Sequence, residues 1–299
     1  ISYERSEQMS TWLQDWLIGS NGLYHGVIGG AWTRVGYLTS GISSLLREPE
    51  RLVAGACQGS GLWEWPHQAG YWKQLHDETL TEVMAVASID GNPGVVAGSS
   101  FCISTGRRDD TGAVRWTHLS DMLNVNERFT NAIQIDPADS SRWLIGTEAG
   151  VLIAQDGGTR WTRSSLIGTP VRALTYAHGL FWAGTDDRGA WHSGDGLTWS
   201  AAGHSKDGGA IYDLAACNGS MVAATVHGVT VGDESGYWRQ SGPRMLCAAV
   251  AVHPDKPNVW MAGATPGGLW STEDAGHTWK QIAGFVHVQA ILPPEGGLV

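Results

Sequence analysis

The chain has 299 residues, of which 42% are hydrophobic and 16% are charged, and it contains 41 Gly and 16 Trp. This composition predicts a folded, turn-rich protein and excludes an intrinsically disordered one. The formal net charge of −10 argues against a nucleic-acid backbone or an anionic membrane surface as the main partner, and no apolar run reaches the length of a membrane span, so we expect no membrane insertion.

Pairs of short apolar runs, separated by a turn of small residues, recur along the chain. Each pair is rich in residues that favour strands, so each predicts a β-hairpin. In chain order these hairpins lie at 16–24, 52–63, 95–104, 143–152, 181–191, 221–230 and 259–270. A further apolar run precedes most of them, at 42–46, 83–89, 131–136, 172–176, 212–216 and 247–252.

A Trp follows each hairpin and opens a predicted fourth strand. The seven are Trp32, Trp72, Trp116, Trp161, Trp199, Trp238 and Trp279. Successive members are 38 to 45 residues apart, which is the repeat length of propeller blades built from four short strands.

The two ends of the chain complement each other. The first repeat lacks its innermost strand, whereas the last repeat is followed by an additional apolar run at 286–292. Pairing the two ends would close a ring and leave no unpaired sheet edge there. We therefore predict an all-β fold in a single domain, residues 1–299. It is a seven-bladed β-propeller of four-stranded antiparallel blades, closed by a C-terminal strand that pairs into the N-terminal blade.

Three of the turns before a Trp share a motif. Residues 272–279 read TEDAGHTW, residues 193–199 read SGDGLTW, and residues 156–161 read DGGTRW. They resemble the Asp-box (BNR) repeat, S-x-D-x-G-x-T-W, of sialidases, xyloglucanases, sortilin-type receptors and photosystem II assembly-factor propellers. The resemblance implies that Asp156, Asp195 and Asp274 are structural residues in turns between third and fourth strands. It also implies that ligands bind on the opposite face, at the mouth of the central channel.

Two sets of connections build that mouth, namely the links between blades and the loops between second and third strands. The polar candidates in the links are Tyr37, Glu82, Arg128, Asn131, Arg172, His204, Lys206, Tyr212, Asp213, Arg244, His287 and Gln289. The loops add Asn21, Gln58, Glu148, Asp186, Asp187, Arg188 and His227. By contrast, we expect Arg107 and Arg108 to lie in a solvated turn on the opposite face.

Arginine is the most informative residue type at this mouth, where Arg128, Arg172, Arg188 and Arg244 fall. Guanidinium groups bind carboxylates or phosphates at two points, which Lys does poorly. These Arg therefore indicate an anionic or polyhydroxylated ligand. The alternative is that they pair with acidic residues of the mouth and hold neighbouring blades together.

The sequence thus predicts a binding module for a polar or anionic ligand, such as a small molecule or a glycan, and leaves a protein partner open. The predicted ligand-binding residues are Arg128, Arg172, Arg188, Arg244, Asp186, Asp187, His227, His287, Gln289 and Asn131. The cofactor is left unknown. The compartment is left open between secreted and cytoplasmic, since no signal segment is visible in this chain.

The alternative function is an enzyme, either a glycoside hydrolase, a polysaccharide lyase or an enzyme of small-metabolite chemistry. Its candidate catalytic residues are Asp213, Tyr212 and Glu82. A hydrolase needs two carboxylates about 5–10 Å apart, whereas a lyase needs a base such as Tyr212 and a cation such as Arg172.

Metal and redox chemistry are not predicted. A metal held by His204, His227 and His287 would draw its ligands from separate blades, which sequence spacing does not test. The four cysteines, Cys57, Cys102, Cys217 and Cys247, occur singly in apolar stretches, so we expect reduced thiols.

Overall fold

A computed structural model describes residues 12, 14–56, 60–90, 93–203 and 209–296. Their strands form seven four-stranded antiparallel sheets. The innermost strand of each sheet contacts the innermost strands of both neighbouring sheets, so the blades surround one central channel. The predicted seven-bladed β-propeller is confirmed.

Strands are numbered here in chain order, and each blade is given from its first strand in the chain to its last. Blade 1 contains β1 (Trp16–Ser20), β2 (Gly22–Gly26), β3 (Trp32–Arg34) and β28 (Ala290–Leu292). Blade 2 contains β4 (Ile42–Glu48), β5 (Arg51–Ala56), β6 (Gly61–Pro66) and β7 (Lys73–Gln74). Blade 3 contains β8 (Ala85–Ser88), β9 (Pro93–Gly98), β10 (Ile103–Arg108) and β11 (Val114–His118). Blade 4 contains β12 (Thr130–Asp136), β13 (Asp139–Thr147), β14 (Gly150–Gln155) and β15 (Arg160–Ile167).

The remaining blades follow the same order. Blade 5 contains β16 (Val171–Ala177), β17 (Leu180–Thr185), β18 (Ala190–Ser193) and β19 (Ser200–Ala201). Blade 6 contains β20 (Ile211–Cys217), β21 (Ser220–Thr225), β22 (Gly228–Gly232) and β23 (Trp238–Gln240). Blade 7 contains β24 (Cys247–His253), β25 (Lys256–Ala264), β26 (Gly268–Thr272) and β27 (Lys280–Ile282). A short helix, α1 (Val125–Arg128), lies in the link between blades 3 and 4, and a 3₁₀ turn spans Asp156–Gly158.

The ring closes as predicted, with a shorter strand than expected. β28 pairs with β1 through Leu17 and Leu292, Ile18 and Ile291, and Gly19 and Ala290. Only three residues of the predicted run 286–292 form this strand, because the preceding residues belong to the link from the outer strand of blade 7.

A repeated small residue sets the spacing between blades. In six blades the strand next to the innermost one carries a Gly. A Cβ atom added at this Gly would lie 2.2 to 3.0 Å from a side chain at or just before the innermost strand of the next blade. The six Gly are Gly19, Gly55, Gly98, Gly146, Gly184 and Gly263, and they face Ile42, Val83, Thr130, Val171, Ile211 and Val288. Blade 6 has Ala224 at this register, and the next blade begins with Cys247 in the same buried cluster. A smaller neighbour thus accommodates the extra methyl group, as close packing requires.

Four of the seven Trp residues that open the outer strands join their blade to the preceding one. The indole N–H of Trp72 donates to the carbonyl of Val35 at 2.7 Å, and that of Trp116 donates to Leu75 at 2.8 Å. Trp161 and Trp238 donate in the same way to Leu119 and Ala202. Each of these four Trp therefore pairs its N–H across a blade boundary. Trp199 instead donates to Gly196 of its own turn at 2.9 Å, and the buried N–H of Trp279 has no hydrogen-bond partner among the described residues.

Two of the three predicted Asp turns cap their own backbone. Asp195 accepts hydrogen bonds from the amides of Leu197 and Thr198, both at 2.8 Å, and Asp274 accepts one from the amide of Thr278 at 2.8 Å. Asp156 instead forms an ion pair with Arg160 at 2.9 Å, with 61% of its side chain exposed. All three turns lie between third and fourth strands, at the end of the ring opposite the inter-blade links.

In the described part of the chain, no helix has the length and apolar character that crossing a membrane requires. Three cysteines are described, Cys102, Cys217 and Cys247, and each is a buried free thiol. The expectation for Cys57 concerns a residue outside the described ranges.

Candidate functional site

A β-bulge points one side chain of nearly every inner strand towards the channel mouth. In five blades the register between first and second strands skips one residue next to the start of the inner strand. These residues are Ser43, Asn131, Arg172, Tyr212 and Ala248, and Met84 and Gln289 occupy the same position in the other two blades. All seven line one cavity of about 210 Å³. Bulges re-aim side chains in this way, so the predicted residues Asn131, Arg172, Tyr212 and Gln289 are brought together.

The next position along each inner strand contains one exception. Six blades carry Ala or Ser there, namely Ser44, Ala85, Ala132, Ala173, Ala249 and Ala290. Blade 6 carries Asp213 instead, opposite Ala224. A carboxylic acid thus stands where six repeats of the same fold have a small side chain.

The carboxylate of Asp213 is held by backbone amides on the inner edges of two blades. It accepts hydrogen bonds from Leu214 at 2.8 Å and from Val250 of blade 7 at 2.9 Å. Burial raises the pKa of Asp213 to about 6, and the two amides act in the opposite direction. Asp213 therefore titrates close to neutral pH and lines the same cavity as Tyr212 and Arg172.

Arg172 is held by two acidic side chains from neighbouring loops. Its Nε and Nη2 atoms donate to Asp186 at 2.9 and 2.6 Å, and its Nη1 donates to Glu148 at 2.5 Å and to Asn131 at 3.0 Å. Hydrogen bonding to Asp186 raises the pKa of Arg172. The alternative of structural pairing therefore describes Arg172, because both edges of its guanidinium are bound by protein carboxylates.

Two other predicted arginines bind backbone carbonyls. Arg128 donates to Leu123 at 2.8 Å and to Asp121 at 2.5 Å, which fixes the link in which it lies. Arg188 donates to Ile167 and Gly168 at 3.3 and 3.2 Å and is exposed. Neither residue lines the channel cavity.

Arg244 and His227 meet in a second cavity beside the blade 6 loop, of about 580 Å³, which Gln240 also lines. Both side chains are exposed, and the Arg244 guanidinium has no hydrogen bond or ion pair with any described residue. The structure thus groups two of the predicted ligand-binding residues at the edge of the mouth face, apart from the channel.

Three predicted residues lie on the mouth face outside the channel cavity. Asp187 accepts a hydrogen bond from Thr169, Glu82 accepts one from Ser100, and the side chain of His287 is exposed. Glu82 therefore does not pair with Asp213 across the cavity. Gln58, His204 and Lys206 lie outside the described residues.

The described ranges contain no cluster of side chains suited to bind a metal ion. No group of three or more His, Cys, Asp or Glu side chains there is arranged to hold a metal ion. His227 and His287 belong to different blades, and His204 lies in the gap between residues 203 and 209.

The expectation for Arg108 is wrong. Arg108 is the last residue of β10, and its Nη2 donates a hydrogen bond at 2.5 Å to the buried carboxylate of Glu64. Glu64 also pairs with Arg51 at 2.9 Å. The sequence analysis missed Glu64 because it belongs to a strand of blade 2, whereas Arg108 belongs to blade 3. Arg107 donates to the carbonyl of Asp90 at 3.4 Å.

The sequence analysis also missed the comparison that singles out Asp213. The signal is present in the printed sequence, because aligning the seven inner strands places Asp213 beside five Ala and one Ser.

Comparisons with known proteins agree with this architecture. No family model matches the chain. The chain is 28% identical over 200 residues to the photosystem II assembly lipoprotein Ycf48 of Synechococcus sp. (strain CC9902). That match covers 64% of this chain and 59% of the relative, so the chain spans less than two thirds of the relative's length.

Solved structures with the same fold share little sequence with this chain. The GH74 xyloglucanase of Xanthomonas campestris matches with a TM-score of 0.62 at 17% identity, over 82% of this chain and 45% of that one. The GH74 enzyme of Niastella koreensis matches with a TM-score of 0.61 at 16% identity, over 80% and 45%. An extracellular domain from B. thetaiotaomicron matches with a TM-score of 0.63 at 12% identity, over 90% and 44%. At these identities the similarity concerns the fold alone.

Proposed function

We propose that this protein is a binding module that takes a hydrogen-bonding group of its ligand into the channel mouth. The contact residues in this proposal are Asn131, Tyr212, Asp213 and Gln289, and Arg172 is held beside them by Glu148 and Asp186. The observation that carries it is Asp213, which replaces a small residue at one of seven equivalent positions. Asp213 is partly buried; a carboxyl group whose pKa is raised lowers stability at neutral pH, and such groups concentrate at functional sites.

The charges around the channel favour a neutral or cationic ligand group over an anionic one. The single positive charge of Arg172 is matched by Glu148 and Asp186, and Asp213 adds a further negative charge above its pKa. Hydroxyl, amide or amine groups suit this set of donors and acceptors. An anionic group suits the second cavity better, where Arg244 and His227 meet.

Binding is favoured over catalysis because the carboxylates near the channel are engaged. Glu148 and Asp186 are paired with Arg172, and Glu82 accepts a hydrogen bond from Ser100 outside the cavity. A hydrolase needs a second carboxylate free to act opposite the first. Similarity to an assembly lipoprotein also supports a binding or assembly role, whereas similarity to xyloglucanases supports including xyloglucan oligosaccharides among the test ligands.

One observation keeps an enzyme as the second candidate. A carboxyl group of pKa about 6 suits general acid or base catalysis, and Tyr212 lines the same cavity. Such an enzyme would use Asp213 and Tyr212 and would not use Glu82.

An array of glycans, amines and small metabolites, probed with the wild-type protein and followed by calorimetry, tests the proposal. Ligands found this way should bind about tenfold more weakly, or worse, to Asp213→Asn and Asn131→Ala, and unchanged to Asp139→Asn on the opposite face. Binding without conversion of the ligand supports the binding module, and conversion that Asp213→Asn abolishes supports the enzyme. Ligands that bind equally to the wild type and to both channel variants would show that the channel is not the site.

A further inference from the structure

A second surface on the mouth face lies beside the channel, around blade 3. It comprises the link 75–84 before β8, the turn 99–102 between β9 and β10, and the link 119–129 that contains α1. Ser100 donates to Glu82, Ile103 donates its amide to Ser120 at 3.1 Å, and Thr130 donates its amide to Ser99 at 2.9 Å. These bonds join the three segments into one continuous surface, called here the blade 3 rim.

Large apolar side chains project from this rim into solvent. Phe101 is 71% exposed, Met122 is 95% exposed and Val125 is 79% exposed. The corresponding turns of blades 4 and 5 carry Glu148–Ala149 and Asp186–Arg188. A group of exposed apolar side chains with polar surroundings is typical of an interaction surface.

The link that carries Met122 and Val125 is held firmly in place. Glu127 is buried, accepts a hydrogen bond from the amide of Asn124 at 3.0 Å, and accepts two from one edge of the Arg163 guanidinium, from Nε at 2.5 Å and from Nη2 at 2.9 Å. Arg128 donates to the carbonyls of Asp121 and Leu123 on the other side. Because the link is ordered before any partner arrives, a partner would lose little free energy in fixing it.

The charge of the rim is acidic. Glu78, Glu82 and Asp121 contribute carboxylates, and the chain contains no Lys between residues 75 and 130. The charge of Arg163 is paired with Glu127, and Arg128, which binds backbone carbonyls, leaves one positive charge beside these three carboxylates. Electrostatic complementarity therefore favours a basic partner.

We propose that the blade 3 rim docks a segment of another protein in which apolar side chains alternate with Lys or Arg. The apolar side chains pack on Phe101, Met122 and Val125, and the basic ones face Glu78, Glu82 and Asp121. This surface is distinct from the channel, so docking does not require Asp213.

Fluorescence anisotropy with a labelled amphipathic peptide of leucine and lysine, about fourteen residues long, tests this inference. Matched probes replace every lysine by glutamate, or every leucine by serine. We expect saturable binding of the leucine–lysine peptide and none of either matched probe. The variants Met122→Ser/Val125→Ser and, separately, Phe101→Ser should each weaken binding by about tenfold or more.

Two controls separate this docking from nonspecific attraction and from the channel site. Tyr237→Ser removes a side chain that is 72% exposed on the opposite face, and Asp213→Asn alters the channel; both should bind the peptide as the wild type does. Equal loss in Tyr237→Ser and the rim variants, or equal binding of the glutamate probe, would overturn the inference. Sedimentation of the wild type as a dimer that Met122→Ser/Val125→Ser dissociates would also overturn it, because the occupant would then be a second copy of this chain.

Discussion

The carboxylate of Asp213 in blade 6 accepts a hydrogen bond at 2.9 Å from the backbone amide of Val250 in blade 7. That amide lies on the inner edge of its sheet, where a strand has no neighbour to pair with. Asp213 therefore connects two blades at the channel, while its burial raises its pKa to about 6.

Replacing Asp213 by Asn should change how stability depends on pH. Because the folded-state pKa is raised, the carboxyl group favours the folded state at low pH, and this contribution is lost as pH rises from about 4 to 6. Relative to Asp213→Asn, the wild type should lose at most about 3 kcal/mol of unfolding free energy between pH 4 and 7.5. Urea denaturation of both proteins at the two pH values measures this difference.

The opposite sign is expected for Asp274, which provides the control. Hydrogen bonds from Thr278 lower the pKa of Asp274, so its contribution to stability is present above the unfolded-state pKa and lost as pH falls. Asp274→Asn should therefore approach the wild type in stability at low pH. The same direction of change in both variants would contradict the assignment for Asp213.

The Asp turns should differ in their importance for stability. Asp195→Ala removes the acceptor of two turn amides, so we expect a loss of about 1–2 kcal/mol of unfolding free energy. Asp156 holds only an exposed ion pair with Arg160, so Asp156→Asn should cost less than about 0.5 kcal/mol; Asn suits the positive φ of 52° at this position. Thermal and urea unfolding of the two variants, side by side, checks the order.

Removing Arg172 should leave two carboxylates facing each other at the mouth. Arg172→Met should lower the unfolding free energy by about 1–3 kcal/mol, because Glu148 and Asp186 lose their shared partner in a partly buried site. Adding Glu148→Gln and Asp186→Asn to this variant should recover part of the loss, since neutral amides do not repel each other. A triple variant as unstable as Arg172→Met would show that charge repulsion is not the cause.

The spacing between blades should tolerate an extra methyl group only with a smaller neighbour. Gly184→Ala places a Cβ atom 2.5 Å from Ile211, so we expect a loss of about 1–3 kcal/mol. Gly184→Ala/Ile211→Cys copies the pair of Ala224 in blade 6 and Cys247 in blade 7, and it should be more stable than the two single changes added together predict. Additive effects in this double-mutant cycle would contradict the packing argument.

The fold was predictable because residues with the same structural role recur at a regular spacing along the chain. Trp72, Trp116, Trp161 and Trp238 each donate a hydrogen bond to the preceding blade, so their spacing follows the blade period. The closing strand was predictable for the same reason, since 286–292 is an apolar run left over after seven repeats. The short length of this strand was not predictable, because the sequence does not show where the inter-blade link ends and the strand begins.

The site was predictable only in part. Asn131, Arg172, Tyr212 and Gln289 were found because polar residues at the start of inner strands must face the mouth. The partners of Arg172 were not predictable, because Glu148 and Asp186 reach it from loops 24 and 14 residues away. Which acidic residues bind Arg172 depends on the geometry of two neighbouring blades. The same limit applies to Glu64 and Arg108, which meet across 44 residues of chain.

The pairing of β28 with β1 has a consequence for synthesis on the ribosome. Six blades are built from consecutive residues and can each assemble as they emerge, whereas the first blade waits for residues 290–292. Until then the inner edge of Trp16–Ser20 presents unpaired amides and carbonyls to any strand nearby. The N-terminal blade is thus the last to be completed, and protection of a nascent chain by a chaperone would matter most at this edge.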